Sequence, residues 1–135
     1  MISGCQAIFL DCNSKQTTKQ RHLKRLLSNS EFHRADFFRV SFRDAQLSHA
    51  SLSSTNLSQT DLRGADLSYA NLAHANLRGA NLQGANLSHA RLGLTNFQQA
   101  NLSKAILPDL TNYDKSKMFE GAIMPDGSVY QEDIE

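Results

Sequence analysis

Cys5 and Cys12 are the two cysteines of the chain, and the five histidines are His22, His33, His49, His74 and His89. A structural zinc site needs four thiolate or imidazole ligands, usually in two close pairs, and no second cysteine pair or matching histidine pair completes one. Asp36, Asp61 and Asp66 recur at the same place in a repeated pattern and do not form a facing carboxylate pair for acid–base work. Gly64, Gly79, Gly84 and Gly93 fall where turns are expected, and no phosphate loop, nucleophile elbow or metalloprotease helix is spelled out. The expected catalytic, cofactor and metal sites are therefore none, and the chain reads as a non-enzyme. Ile2-Ser3-Gly4-Cys5 looks superficially like a lipoprotein cleavage site, but no charged and apolar leader precedes it.

The elements that would have to position any chemistry start from 135 residues with 40% hydrophobic content, which fits one domain with a modest core. Fourteen Lys and Arg face thirteen Asp and Glu, a formal charge of +1, so there is no bulk pull toward nucleic acid or anionic lipid. No run approaches the roughly 18 apolar residues of a membrane span. With no signal peptide visible, a cytoplasmic location and no membrane span are expected.

One feature dominates the rest: a five-residue period from Ser30 to Asp109. Its central position holds Phe32, Phe37, Phe42, Leu47, Leu52, Leu57, Leu62, Leu67, Leu72, Leu77, Leu82, Leu87, Leu92, Phe97, Leu102 and Leu107, the expected structural core. Two residues earlier the chain is almost always small, as at Ala35, Ala65, Ala85 and Ala100, and the residue between is often Asn or Asp. A period of five fits neither a 3.6-residue helix nor a two-residue strand. It fits a short extended piece with the small and large residues pointing inward, then a sharp turn, repeated into a coil. Coils stacked about 4.8 Å apart pair the backbone and set like residues above like.

The units ADLSY, ANLAH, ANLRG, ANLQG and ANLSH between Ala65 and His89 resemble the pentapeptide-repeat family. The resemblance implies an all-β solenoid, a right-handed quadrilateral β-helix with about twenty residues per coil and about four coils. Residues twenty apart then stack. Phe37, Leu57, Leu77 and Phe97 share an inner column, His49, Tyr69 and His89 an outer line, and Arg43 lies beneath Arg63 on another. These five surface residues form the candidate interaction surface. His49 and His89 stand about 10 Å apart on this reading, too far for one metal.

A solenoid needs caps, because its end coils are open. Residues 17–28 read as a short amphipathic capping helix, with Leu23, Leu26 and Leu27 on one side and Lys19, Arg21, Lys24 and Arg25 around them. The chain thus divides into residues 1–29, an N-terminal segment and capping helix, residues 30–109, the β-helix, and residues 110–135, a C-terminal cap and tail. AILPD at Ala105 reappears as AIMPD at Ala122 out of phase. An irregular excursion over 110–121 is therefore expected, with Tyr113 and Phe119 packed on the last coil and Ala122 to Asp126 returning as one more strand. Residues 1–30 hold five basic side chains against one acidic, and residues 110–135 two against six, so the ends are oppositely charged.

Two function classes follow. The first is a non-enzymatic interaction or scaffold module for an unknown protein partner, a monomer or a weak dimer through an end cap. The second is implied by the resemblance: well-understood family members mimic the DNA duplex and bind type II topoisomerases such as gyrase, protecting them from quinolones. Mimicry needs acid, and between Glu31 and Asp109 six carboxylates face seven basic side chains. A duplex carries one negative charge per roughly 1.7 Å, which disfavours the mimic. Binding to nucleic acid itself is disfavoured further, because no aromatics are interleaved with the arginines for stacking.

Overall fold

The computed structural model describes residues 27–132. The expected helix over 17–28, apart from Leu27 and Ser28, lies outside the described residues, as do Cys5, Cys12 and His22.

Each pentapeptide makes one corner of a square. Parallel bridges link residues twenty apart, in four ladders that define the faces: Glu31, Ser51, Asn71 and Arg91 on face 1; Asp36, Asn56, Asn76 and Asn96 on face 2; Ser41, Asp61, Asn81 and Asn101 on face 3; and Gln46, Asp66, Asn86 and Ile106 on face 4. Every β pairing among the described residues is a single bridge, because a turn follows after each inward residue. The turn closes on a bond such as Ala80 N–H to the Leu77 carbonyl, 3.0 Å. Its second central residue always has φ between +56° and +70°, the left-handed value of a type II turn. Gly64, Gly79 and Gly84 adopt it freely, yet Arg34, Tyr69, His74 and Leu94 adopt it as well.

The Asn or Asp before the inward Leu has a local task. In ten turns its Oδ1 accepts the N–H two residues on, as from Ala73 to Asn71 at 3.1 Å and from Ser88 to Asn86 at 3.0 Å. This Asx bond satisfies a donor that the ladder does not reach.

Inside, the central Leu and Phe residues from Phe32 to Leu102 are buried, together with the residues two positions earlier from Ala35 to Ala105. Leu107 departs from the expected core: it is only partly buried and packs at the cluster's edge, because Pro108 ends the run and no further rung covers it. Phe32, Phe37 and Phe42 meet edge to face at 5.4 and 5.1 Å and fill the first coil. Thr55, Thr60 and Thr95 replace Ala inside, and their hydroxyls donate to the Leu52, Leu57 and Leu72 carbonyls, so no buried polar atom is stranded there.

The C-terminal excursion is more ordered than its sequence implies, since it contains a one-turn helix, α1 (Lys115–Phe119). Beyond it Ile123 pairs with Asn101, and a hairpin over Pro125 to Gly127 brings Val129 back against Ile123. The step from Asn101 to Ile123 is two residues longer than a regular coil. The fifth coil is consequently half built. Met118 continues face 2 by accepting from Phe97 N–H and Ile123 continues face 3 by accepting from Leu102 N–H, but faces 1 and 4 end at Arg91 and Ile106.

Candidate functional site

At the corner between faces 4 and 1, the left-handed turn residues are His49, Tyr69 and His89. Positive φ aims these side chains outward, and the coil spacing sets them one above another. Their rings stack, His49 on Tyr69 at 4.8 Å with 3° between planes, and Tyr69 on His89 at 4.7 Å with 15°. Tyr69 is 52% exposed even so. The result is a rigid aromatic ridge whose ring edges, carrying imidazole nitrogens and a phenol, face outward. The two histidines are separated by a whole ring, and among the described residues no group of three or more His, Cys, Asp or Glu could hold a metal ion.

The arginine line is of a different kind. Arg63 forks onto Asp61, Nε to Oδ1 at 2.9 Å and Nη2 to Oδ2 at 2.7 Å, while Arg43 lies 3.9 Å from Asp44. Partial burial pushes the Asp61 carboxyl up, but the hydrogen bonds and charge of Arg63, helped by Arg43, outweigh this and hold it below the usual carboxylate range. Arg63 is therefore locally neutralised, while Arg43 has only a loose, solvent-exposed contact, and the two sit at a different corner from the aromatic ridge.

Two features have no counterpart in the sequence reading. His33 hydrogen-bonds Ser51 and Ser53 on face 1 of the first two coils. At the other end, by the corner between faces 1 and 2, lies a cavity of about 540 Å³ whose lining includes Leu94, Tyr113 and Met118 together with Asn112 and Lys117. Leu94 is 76% exposed at φ +58°. The only sequence signal was a bulky apolar residue at a position otherwise Gly or polar, one step before the two-residue slip takes effect. Among the described residues no helix is long and apolar enough to cross a membrane.

The chain matches the model for pentapeptide repeats in eight copies, over residues 26–53, 45–84 and 80–109. Among solved structures it is similar to Rfr23, a pentapeptide repeat protein from the cyanobacterium Cyanothece 51142, at 31% identity and a TM-score of 0.44, covering 75% of this chain and 64% of that one. It thus spans just under two thirds of that protein's length. It is also similar to alr5209, a pentapeptide repeat protein from Nostoc Pcc 7120, at 29% identity and a TM-score of 0.45, covering 84% of this chain and 91% of the other. HetL, a pentapeptide repeat protein involved in heterocyst differentiation regulation from the cyanobacterium Nostoc sp. strain PCC 7120, is 32% identical with a TM-score of 0.40, over 77% and 59% of the two chains. No curated protein matches. Because the repeat match extends through 26–109, well over half of the sequence, this chain belongs to the pentapeptide-repeat family.

Proposed function

We propose that this chain is a non-enzymatic interaction module, a rigid four-sided rod that docks a protein partner along its aromatic corner. The stacked ridge of His49, Tyr69 and His89 carries the reading. It is a preorganised, exposed aromatic line on a scaffold that loses little conformational entropy on binding, the condition under which aromatic anchors contribute most to affinity. The packed interior supports the non-enzymatic part, since the columns of Leu and Phe leave no room there for a substrate. Residues 30–109 serve as the docking body, with the flanking segments as its ends. We take the coil to be right-handed, as parallel strands joined by a crossover nearly always are.

Gyrase mimicry is the reading to exclude. The near balance of acid and base on the coil opposes it, and Arg63 in particular holds Asp61 in an internal pair.

The test is affinity capture from the source cell with the wild-type rod and with the triple variant H49S, Y69S, H89S, after thermal melts show both folded. One stoichiometric protein, lost with the variant, supports docking at this corner. A partner retained by the variant, or no partner at all, overturns it. Recovery of gyrase subunits, together with inhibition of supercoiling, would establish the mimic instead.

A further inference from the structure

The half-built fifth coil leaves a specific set of backbone groups open on face 1. In the lower coils the carbonyls of Ser30, Ala50 and Ala70 accept from Ser51, Asn71 and Arg91 N–H, at 2.8 to 2.9 Å. The Ala90 carbonyl, next in that series, has no partner among the described residues. The N–H groups of Arg34, Ser54 and His74 donate to the coil above at 3.2, 2.9 and 2.8 Å, whereas that of Leu94 donates to nothing among the described residues. Between them, Leu92 N–H reaches the Tyr113 hydroxyl at 3.3 Å in place of a backbone carbonyl. An acceptor and two donors are thus presented at β spacing, and Leu94, at the end of the row, lines the 540 Å³ cavity.

Edges of this kind are normally blunted by charge, proline or a covering segment. Here the next residue along the edge is Leu94, the most exposed large apolar side chain described, held in a left-handed conformation that is strained for a bulky residue. Tyr113 and Met118 line the same cavity as Leu94, so an apolar side chain entering it would meet apolar groups from all three. The surrounding end is acidic. Residues 105–132 carry Asp109, Asp114, Glu120, Asp126 and Glu132 against Lys115 and Lys117. Bonds from the Thr111 and Ser116 side chains hold Asp109 and Asp114 below the usual carboxylate range, so both stay charged.

We infer that this edge is a strand-docking site: an extended, basic segment of a partner protein, with one large apolar side chain, adds the missing fifth rung on face 1. Its backbone accepts from Leu94 N–H and donates to the Ala90 carbonyl, takes over Leu92 N–H from Tyr113, and seats its apolar side chain between Leu94, Tyr113 and Met118. Main-chain bonds supply affinity and the cavity supplies selectivity, as in other strand additions. The site is separate from the aromatic ridge, and it stands or falls independently of docking there.

The probe is a capped ten-residue peptide with the sequence of Ala75–Gly84, ANLRGANLQG, which is this chain's own rung pattern with one positive charge. Amide hydrogen exchange of the full chain is followed with and without it. Saturable binding that slows exchange at Leu94 at least tenfold is expected. An L77D, L82D peptide should fail to bind. L94N in the protein, which keeps a residue tolerant of positive φ but removes the apolar wall, should weaken binding at least fivefold without lowering the melting temperature. Binding that leaves Leu94 exchange unchanged, or protects Leu107 instead, overturns the assignment, as does failure of the peptide to bind at millimolar concentration. Slow Leu94 exchange in the free protein also overturns it: if concentration-dependent, a second copy fills the edge, and if not, another segment of the same chain does.

Discussion

The Phe119 ring stacks on that of Phe97, centroids 5.4 Å apart and 14° between planes, although twenty-two residues separate them where the regular coil has twenty. Phe119 thereby extends the inner column of Phe37, Leu57, Leu77 and Phe97 past the end of the pentapeptides. The helix α1 delivers it: one turn shortens the path enough to absorb the two extra residues and set Met118 over Phe97 N–H. Phe119 is fully buried, so F119A should cost about 3–5 kcal/mol in chemical denaturation followed by circular dichroism, and F119L much less. A loss below 1 kcal/mol would mean that the coil's end does not depend on this plug.

Mid-column, Leu77 is equally buried and has apolar neighbours one coil above and below. L77D would place a carboxylate there without a charge partner or a hydrogen-bond donor. The expected outcome is loss of the cooperative thermal transition. An unchanged melting curve would show that the inward register is wrong.

Two glycines separate conformation from contact. At Gly84, φ is +70° and a Cβ would meet nothing within 4 Å, so G84A should cost about 1 kcal/mol through backbone strain alone. At Gly64, φ is +67° but an added Cβ would collide with Asp44 Oδ1. That atom is the tip of a side chain that is 75% exposed and can swing aside cheaply, so G64A should cost nearly the same as G84A in equilibrium unfolding. A clearly larger cost for G64A would show that Asp44 is held in place against the turn.

These contrasts mark what the sequence carried and what it did not. The inward positions were legible because burial selects Leu or Phe at one phase of five, and stacking multiplies the signal. Leu107 looks identical to its fellows, since its partial exposure depends on a rung that never forms above it. The left-handed turn was legible at Gly64 and Gly84 but hidden where His49, Tyr69 and Leu94 occupy it, because those residues do not advertise positive φ. Five residues of α1 are too few to show a helical period. The cavity and the open edge at Leu94 arise from where the chain goes after Pro108, and no local pattern encodes them.

The Asp61 carboxylate gives a pH signature. Its pKa is lowered in the folded state from the model-compound value of 3.8, so the stability it supplies is present above that value and is lost as pH falls through the lower folded pKa. D61N keeps the Oδ1 that caps the turn, as Asn does at most equivalent positions, and removes only the charge that Arg63 grips. The variant should melt slightly lower than wild type at pH 7, only slightly because the pair is partly exposed, and the difference should vanish once the pH has fallen below the folded pKa. A gap that widens in acid would reverse the assigned sign.

The Asx bonds should matter one by one. At Asn71, Oδ1 accepts from Ala73 N–H at 3.1 Å, and Ala73 has no side chain that could take over. N71A leaves that amide to water, which reaches it only in part because Ala73 is half-buried. A cost of about 1 kcal/mol is expected, while N71D, which retains the acceptor, should be nearly neutral at pH 7. Because Asn71 also pairs through its backbone with Ser51 and Arg91, which no side-chain change removes, the ladder itself should survive. Hydrogen exchange at Ala73 should then accelerate in N71A while Leu72 stays protected. Simultaneous loss at both amides would show that the side chain supports the rung as well as the turn.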